Sequence, residues 1–178
     1  MQKSIALIVL FIATFAKINA QLHLVSSTRI EELRLGQPID SINKIVRGQI
    51  PVPKKTKEFT YDTINVIYKT DSVRLVFSRF LSLENTVQTS LVSIYSAAKG
   101  LQTKSGIKPG DQKFDIIKRL DGSSMRISPD WHFPDNAPER KSYSIVVLYD
   151  YENDSILNFY FYNNSLYGFE CSSLQEGG

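Results

Sequence analysis

The chain opens on an almost unbroken apolar run, residues 5–16, with Lys3 before it and the small residue Ala20 closing it ahead of the polar Gln21. A charged start, an apolar middle and a small-residue end are the layout of a secretory signal peptide. The run falls short of the roughly 20 apolar residues that a helix needs to cross a bilayer. Residues 1–20 are therefore expected to be a cleaved leader, and the mature chain, 21–178, to be secreted or periplasmic.

Beyond the leader the apolar spacing alternates between two periods. Ile39, Ile42 and Val46 fall on one helical face, and so do Ile116 and Leu120 with Phe114 or Ile117 beside them. Gly36 and Gly110 stand before these segments and Gly48 and Gly122 after them, where a helix end favours a left-handed residue. Each segment predicts a short helix of roughly ten residues, close to the average length. Alternating, strand-like runs follow each one: 64–69, 73–80 and 90–96 after the first, 145–151, 156–162 and 165–172 after the second. Weaker strands are expected around 56–60 and 124–127. Turn formers separate the runs, Lys69-Thr70-Asp71-Ser72 in the first set, Glu152-Asn153-Asp154-Ser155 and Asn163-Asn164 in the second.

The two sets can be laid over each other. Gly36 matches Gly110, Ile42 Ile116, Lys44 Lys118, Val46 Leu120 and Gly48 Gly122, without a gap. The strands match with Val73, Leu75 and Phe77 over Leu157, Phe159 and Phe161, and with Val92 and Ile94 over Tyr167 and Phe169. The turns align one residue out of step with these faces. Burial fixes register, because a one-residue slip would turn every side chain to the other face, whereas a turn can absorb the difference. The predicted fold class is thus α+β: two tandem helix-plus-antiparallel-meander repeats, residues 21–100 and 101–178, forming one extended sheet with helices on one face.

The run Gly106-Ile107-Lys108-Pro109-Gly110-Asp111, then Ile116 and Leu120, with weaker echoes at Leu35-Gly36 and Ile42, resembles the β-lactamase inhibitory protein family and the related small outer-membrane assembly lipoproteins. The resemblance covers about a third of each copy. It implies helices packed on a four-stranded antiparallel sheet, twice in tandem, and a bacterial envelope or secreted setting. It does not imply a target. The inhibitors use disulfides, which a chain with Cys171 alone cannot form internally, and the lipoproteins need an N-terminal cysteine for their lipid.

Composition narrows the function. A hydrophobic fraction of 42% and an aromatic fraction of 11% suit a packed core rather than disorder. The net charge of +3 includes Lys3 and Lys17, so the mature chain lies near neutrality and lacks the basic excess that nucleic acid demands. Cys171 sits in a strand-like run and is expected to be a buried, inert thiol rather than a bridge between chains.

Candidate chemistry is sparse. His23 and His132 are the only histidines, and Asp130-Trp131-His132-Phe133-Pro134-Asp135 offers one imidazole and two carboxylates, short of a metal set. No nucleophile elbow or phosphate-cradling loop is present. No cofactor, metal or catalytic residue is expected. Two glycosylation sequons, at Asn153 and Asn163, fall on turns and matter only in a eukaryotic secretory pathway.

The aromatic pattern is more informative. Alternation turns Leu157, Phe159 and Phe161 toward the helices and Asn158, Tyr160 and Tyr162 outward. The same logic puts Arg74, Val76 and Ser78, then Ser93 and Tyr95, then Gly168 and Glu170, on the outer face. Tyrosine, tryptophan and arginine are the residues that anchor interfaces. Arg74, Tyr95, Tyr160, Tyr162 and Glu170, with Trp131 at the rim, therefore mark a face for a protein or cell-envelope partner. The alternative is a small envelope hydrolase or ligand carrier with a cleft between the repeats, lined by carboxylates such as Asp130, Asp135 or Glu170.

Overall fold

A computed structural model of the protein describes residues 24–48, 50–51, 59–82, 86–129 and 141–174. The expected leader, both histidines, Trp131, Asp130, Asp135 and most of the weak strand at 56–60 lie outside them. In chain order the elements are β1 (Leu24–Ser26), β2 (Arg29–Ile30), β3 (Leu33–Arg34), α1 (Ile39–Ile42), β4 (Thr60–Tyr68), β5 (Asp71–Leu81) and β6 (Val87–Ser96). Then come β7 (Gln102–Thr103), α2 (Lys113–Arg119), β8 (Met125–Pro129), β9 (Tyr143–Asp150), β10 (Ser155–Tyr162) and β11 (Ser165–Ser173). Among the described residues no helix is long and apolar enough to cross a membrane.

The long strands form one seven-stranded antiparallel sheet in the order β4-β5-β6-β11-β10-β9-β8. Its hairpins close where the sequence supplies left-handed turn residues. Lys69 (φ 56°) turns β4 into β5, and Asn163 and Asn164 (φ 47° and 63°) turn β10 into β11. Two positive φ values in succession are what a two-residue turn matched to strand twist requires, and asparagine tolerates them. The connection from β9 to β10 is two residues longer than that from β4 to β5, spanning 151–154 against 69–70. It absorbs the misfit between the turns while Val73, Leu75 and Phe77, like Leu157, Phe159 and Phe161, all face the core.

The short strands form a separate four-stranded sheet, β3-β2-β1-β7, in which β1 and β7 run parallel. Val25, Ile30 and Leu33 from it, Ile39 and Ile42 from α1 and Ile116 from α2 join the inner face of the large sheet in one core that also takes in Phe169 and Cys171. Each fully buried Leu, Ile or Phe in this core contributes about 1.5–3 kcal/mol.

The expected α+β arrangement of two tandem helix-plus-meander repeats is therefore corrected: the chain is mostly β. The helices are only 4 and 7 residues long, and a second sheet shares with them the inner face that they were expected to cover alone. The physical reason is the cost of helix nucleation, which a ten-residue segment recovers poorly. The burial that Ile39, Ile42 and Val46 require is met by one helical turn followed by irregular backbone, with Val46 buried beyond the end of α1.

What recurs is local hydrogen bonding. The register shifts by one residue at Val92, between Val76↔Ser93 and Phe77↔Leu91, and again at Tyr167, between Tyr160↔Gly168 and Phe161↔Leu166. Next to each bulge the loop before a helix docks on the strand. Gly36 N–H donates to Leu91 O at 2.8 Å and Leu91 N–H to Gln37 O at 3.3 Å. Gly110 N–H donates to Leu166 O at 2.8 Å and Leu166 N–H to Asp111 O at 3.0 Å. A bulge frees backbone groups from the ladder, and these loops satisfy them.

Candidate functional site

The outer face carries one row of polar and aromatic side chains across the middle of the large sheet. On β5, Val73 and Leu75 point inward, so Arg74 between them points outward. Arg74 stands directly opposite Tyr95 of β6, Tyr95 opposite Glu170 of β11, and Glu170 opposite Asn158 of β10. Directly opposed residues share a face, and diagonal neighbours remain within reach of long side chains.

The row is locked around Glu170. Ser93 donates its hydroxyl hydrogen to Glu170 Oε1 at 2.5 Å, and the Tyr160 hydroxyl donates to Oε2. Arg74 Nη2 lies 3.6 Å from the same Oε2. The Arg74 guanidinium carbon also sits 4.6 Å from the centre of the Tyr95 ring, a cation–π contact, and Tyr95 meets Tyr160 edge to face at 5.5 Å. Gly168 makes room for the Tyr95 ring. The aromatic contacts continue from Tyr160 to Tyr167 at 6.2 Å, from Tyr167 to Tyr143 at 6.1 Å and from Tyr143 to Tyr162 at 4.7 Å.

The structure thus brings Arg74, Tyr95, Tyr160 and Glu170 into contact and joins Tyr162 to them through other tyrosines; Trp131 lies outside the described residues. Exposure divides the set. Tyr162 is 46% exposed and Arg74 and Tyr95 are half-buried, whereas Tyr160 is 1% exposed. Tyr160 forms a second, smaller apolar cluster on the outer face with Ile145 and Val147, against which Tyr95, Tyr149, Ile156 and Tyr167 pack. Its part is therefore to hold Glu170 rather than to touch a partner. Glu170 is likewise committed inward, both carboxylate oxygens being engaged.

Sequence reasoning placed Asn158 on this face but missed that it is buried, its Oδ1 without a hydrogen-bond partner among the described residues. Alternation alone gives a direction, not a depth. Sequence reasoning also missed the exposed Tyr61 and Ile67 of the edge strand β4, which share the outward side with Arg74. Both stand an even number of residues from Asn65, which pairs with Arg74, and that spacing was the available signal.

Chemically, both oxygens of the row's one carboxylate are engaged, by the Ser93 and Tyr160 hydroxyls, with the Arg74 guanidinium beside them. Among the described residues no group of three His, Cys, Asp or Glu is placed to hold a metal ion. Cys171 lies on the inner face, fully buried, and burial pushes its thiol well above the usual range, helped by the neighbouring Glu170 charge. The arrangement can present a fixed guanidinium and tyrosine rings to a surface laid against it. Comparison with protein-family models, with characterised proteins and with solved structures finds no match for this chain.

Proposed function

We propose that the protein is a secreted or periplasmic, non-catalytic binding module that takes a protein or cell-envelope partner on the outer face of its seven-stranded sheet. The observation that carries this reading is the cross-strand row Arg74–Tyr95–Glu170, in which arginine and tyrosine are fixed before any partner arrives. A side chain already held in its bound geometry loses little entropy on association. Arg74, Tyr95 and Tyr162 are the contacting residues. Tyr160 and Glu170 support them from beneath. The leader-like start of the sequence supports export, and the engagement of both Glu170 oxygens by neighbouring side chains supports a binding rather than a hydrolytic role.

The test is a pull-down with mature protein from envelope and secreted fractions of its own source, read by mass spectrometry and repeated with Arg74→Ala and Tyr162→Ser. The expected result is a partner retained by the parent protein and lost from both variants, each of which still unfolds in one cooperative thermal transition. Equal retention by the variants overturns the assignment of the face.

A further inference from the structure

On the opposite side of the sheet, where the small sheet meets the β9 and β10 strands, lies a cavity of about 680 Å³. That volume is within the range of small-molecule sites, roughly 300–1,000 Å³. Its walls are apolar and come from both halves of the chain: Val25 of β1, Leu120 just past α2, Leu148 of β9 and Leu157 of β10. Its rim is lined by hydroxyls, among them Ser27, Ser105 and Ser124, and by one positioned carboxylate, Asp150.

Asp150 is held in place. The Ser27 hydroxyl donates to Oδ2 at 2.6 Å and the Asn153 side-chain amide donates to the same oxygen at 2.9 Å, while the Asn153 backbone N–H reaches Oδ1 at 3.3 Å. The Ser27 bond, with those from Asn153, keeps the carboxyl below its ordinary range, so it is ionised at neutral pH. Oδ1 accepts this one long bond, and the Glu152 backbone N–H adds to the donors that fix the carboxylate. Lys104 and Glu152 at the mouth offset each other in charge, which leaves the Asp150 anion as the net charge of the site.

We propose that this inter-sheet cavity binds a single-chain amphiphile. The apolar chain lies against Leu120, Leu148 and Leu157, and a primary ammonium head group is held by Asp150 among the rim hydroxyls. The site is separated from the outer-face row by the thickness of the sheet, so the two can be tested independently.

The test uses the fluorescent apolar probe N-phenyl-1-naphthylamine with the purified protein, displaced by dodecylamine, dodecanol or dodecanoate below their aggregation thresholds. The expected result is saturable probe fluorescence, with dodecylamine displacing the probe at a concentration at least about tenfold below dodecanoate, one tenfold step being 1.4 kcal/mol. Asp150→Asn should remove the preference for the amine while leaving displacement by dodecanol unchanged. Leu148→Trp should abolish probe binding by filling the cavity. Ser124→Trp, at the exposed rim, should do the same where the Leu148 variant fails to fold. Absence of saturable probe binding, or an amine preference that survives Asp150→Asn, overturns the proposal.

Discussion

The hydroxyl oxygen of Tyr95 lies 3.0 Å from where a β-carbon on residue 168 would stand, so the ring occupies the space that Gly168 leaves empty. The Ser96 carbonyl, at 3.3 Å, closes the same space from the backbone side. Gly168 is not needed for its dihedral freedom here; it is needed for its missing side chain. Gly168→Ala should push Tyr95 off Arg74 and cost about 1–3 kcal/mol, the usual range for overpacking. Urea unfolding would show a lower midpoint, and the penalty should shrink in a Tyr95→Ala background. A double-mutant cycle with no coupling would contradict the contact.

Glu170 gathers three donors from three strands, Arg74 from β5, Ser93 from β6 and Tyr160 from β10. Removing the carboxylate strips Ser93 and Arg74 of their shared acceptor in a half-buried setting. Glu170→Ala should cost about 2–3 kcal/mol, toward the low end for breaking a buried pair because the Arg74 side chain stays about a third exposed. Arg74→Ala should cost less than half of that. Denaturant titrations of both variants check the order, and the reverse order would mean that Arg74 rather than Glu170 is the hub.

The depressed carboxyl of Asp150 makes a prediction about acid. Its folded form titrates below the unfolded value of roughly 4, so ionised Asp150 stabilises the fold above that value. This contribution is lost as pH falls through the folded value. Asp150→Asn removes it at every pH. The parent protein should therefore be the more stable near neutrality, and the difference should fade as pH falls below roughly 4 and through the lower folded value. Urea midpoints of the two proteins across that interval measure the effect; parallel curves would show that Ser27 and Asn153 do not favour the ion.

Cys171 should be silent toward thiol reagents. It is fully buried, and desolvation holds it as the neutral thiol. Ellman's reagent should react with it only on addition of guanidinium, and non-reducing gels of the folded protein should show no dimer. Cys171→Ser, which introduces a hydroxyl among Phe169, Ile94 and Leu157, should cost about 1–3 kcal/mol.

The strands of the large sheet were legible because they are long enough to alternate. Val73, Leu75 and Phe77 against Arg74 and Val76 declare two faces, and the turns at Lys69 and Asn163 set the registers of the β4–β5 and β10–β11 hairpins, whereas the β6–β11 pairing that puts Tyr95 opposite Glu170 joins strands with no turn between them to count from. The small sheet was not legible. Its strands have two or three residues each, and β1 finds β7 with Leu24 opposite Gln102, far along the chain, where nothing local announces the pairing. Helix length was overread at Ile39–Val46, since a helical spacing of three apolar residues is met equally by a turn and a bend. The outer-face reading was right in direction and incomplete in depth. Tyr160 points away from the main core as alternation requires, yet Tyr95 and Tyr167 pack over it with Ile145 and Val147 alongside. The bulge at Tyr167, which sets that ring beside Tyr160, has no sequence signature that period-two alternation can reveal.

The seam between β6 and β11 has a consequence for how the molecule holds together over time. Only four register pairs cross it, from Ser93↔Ser172 to Tyr95↔Glu170 and Phe169↔Ser96, yet it unites the first half of the chain with the last strand, and the parallel β1–β7 pair stitches the same halves again. Severing the chain at the exposed Lys99–Gly100 turn should therefore not release two lobes. Each fragment alone would carry a raw sheet edge and half of an apolar core, a surface that drives association. The two pieces, mixed in equal amounts, should find one another and restore a single cooperative melting transition, so that the molecule behaves as a heterodimer whose subunits happen to be joined by a turn.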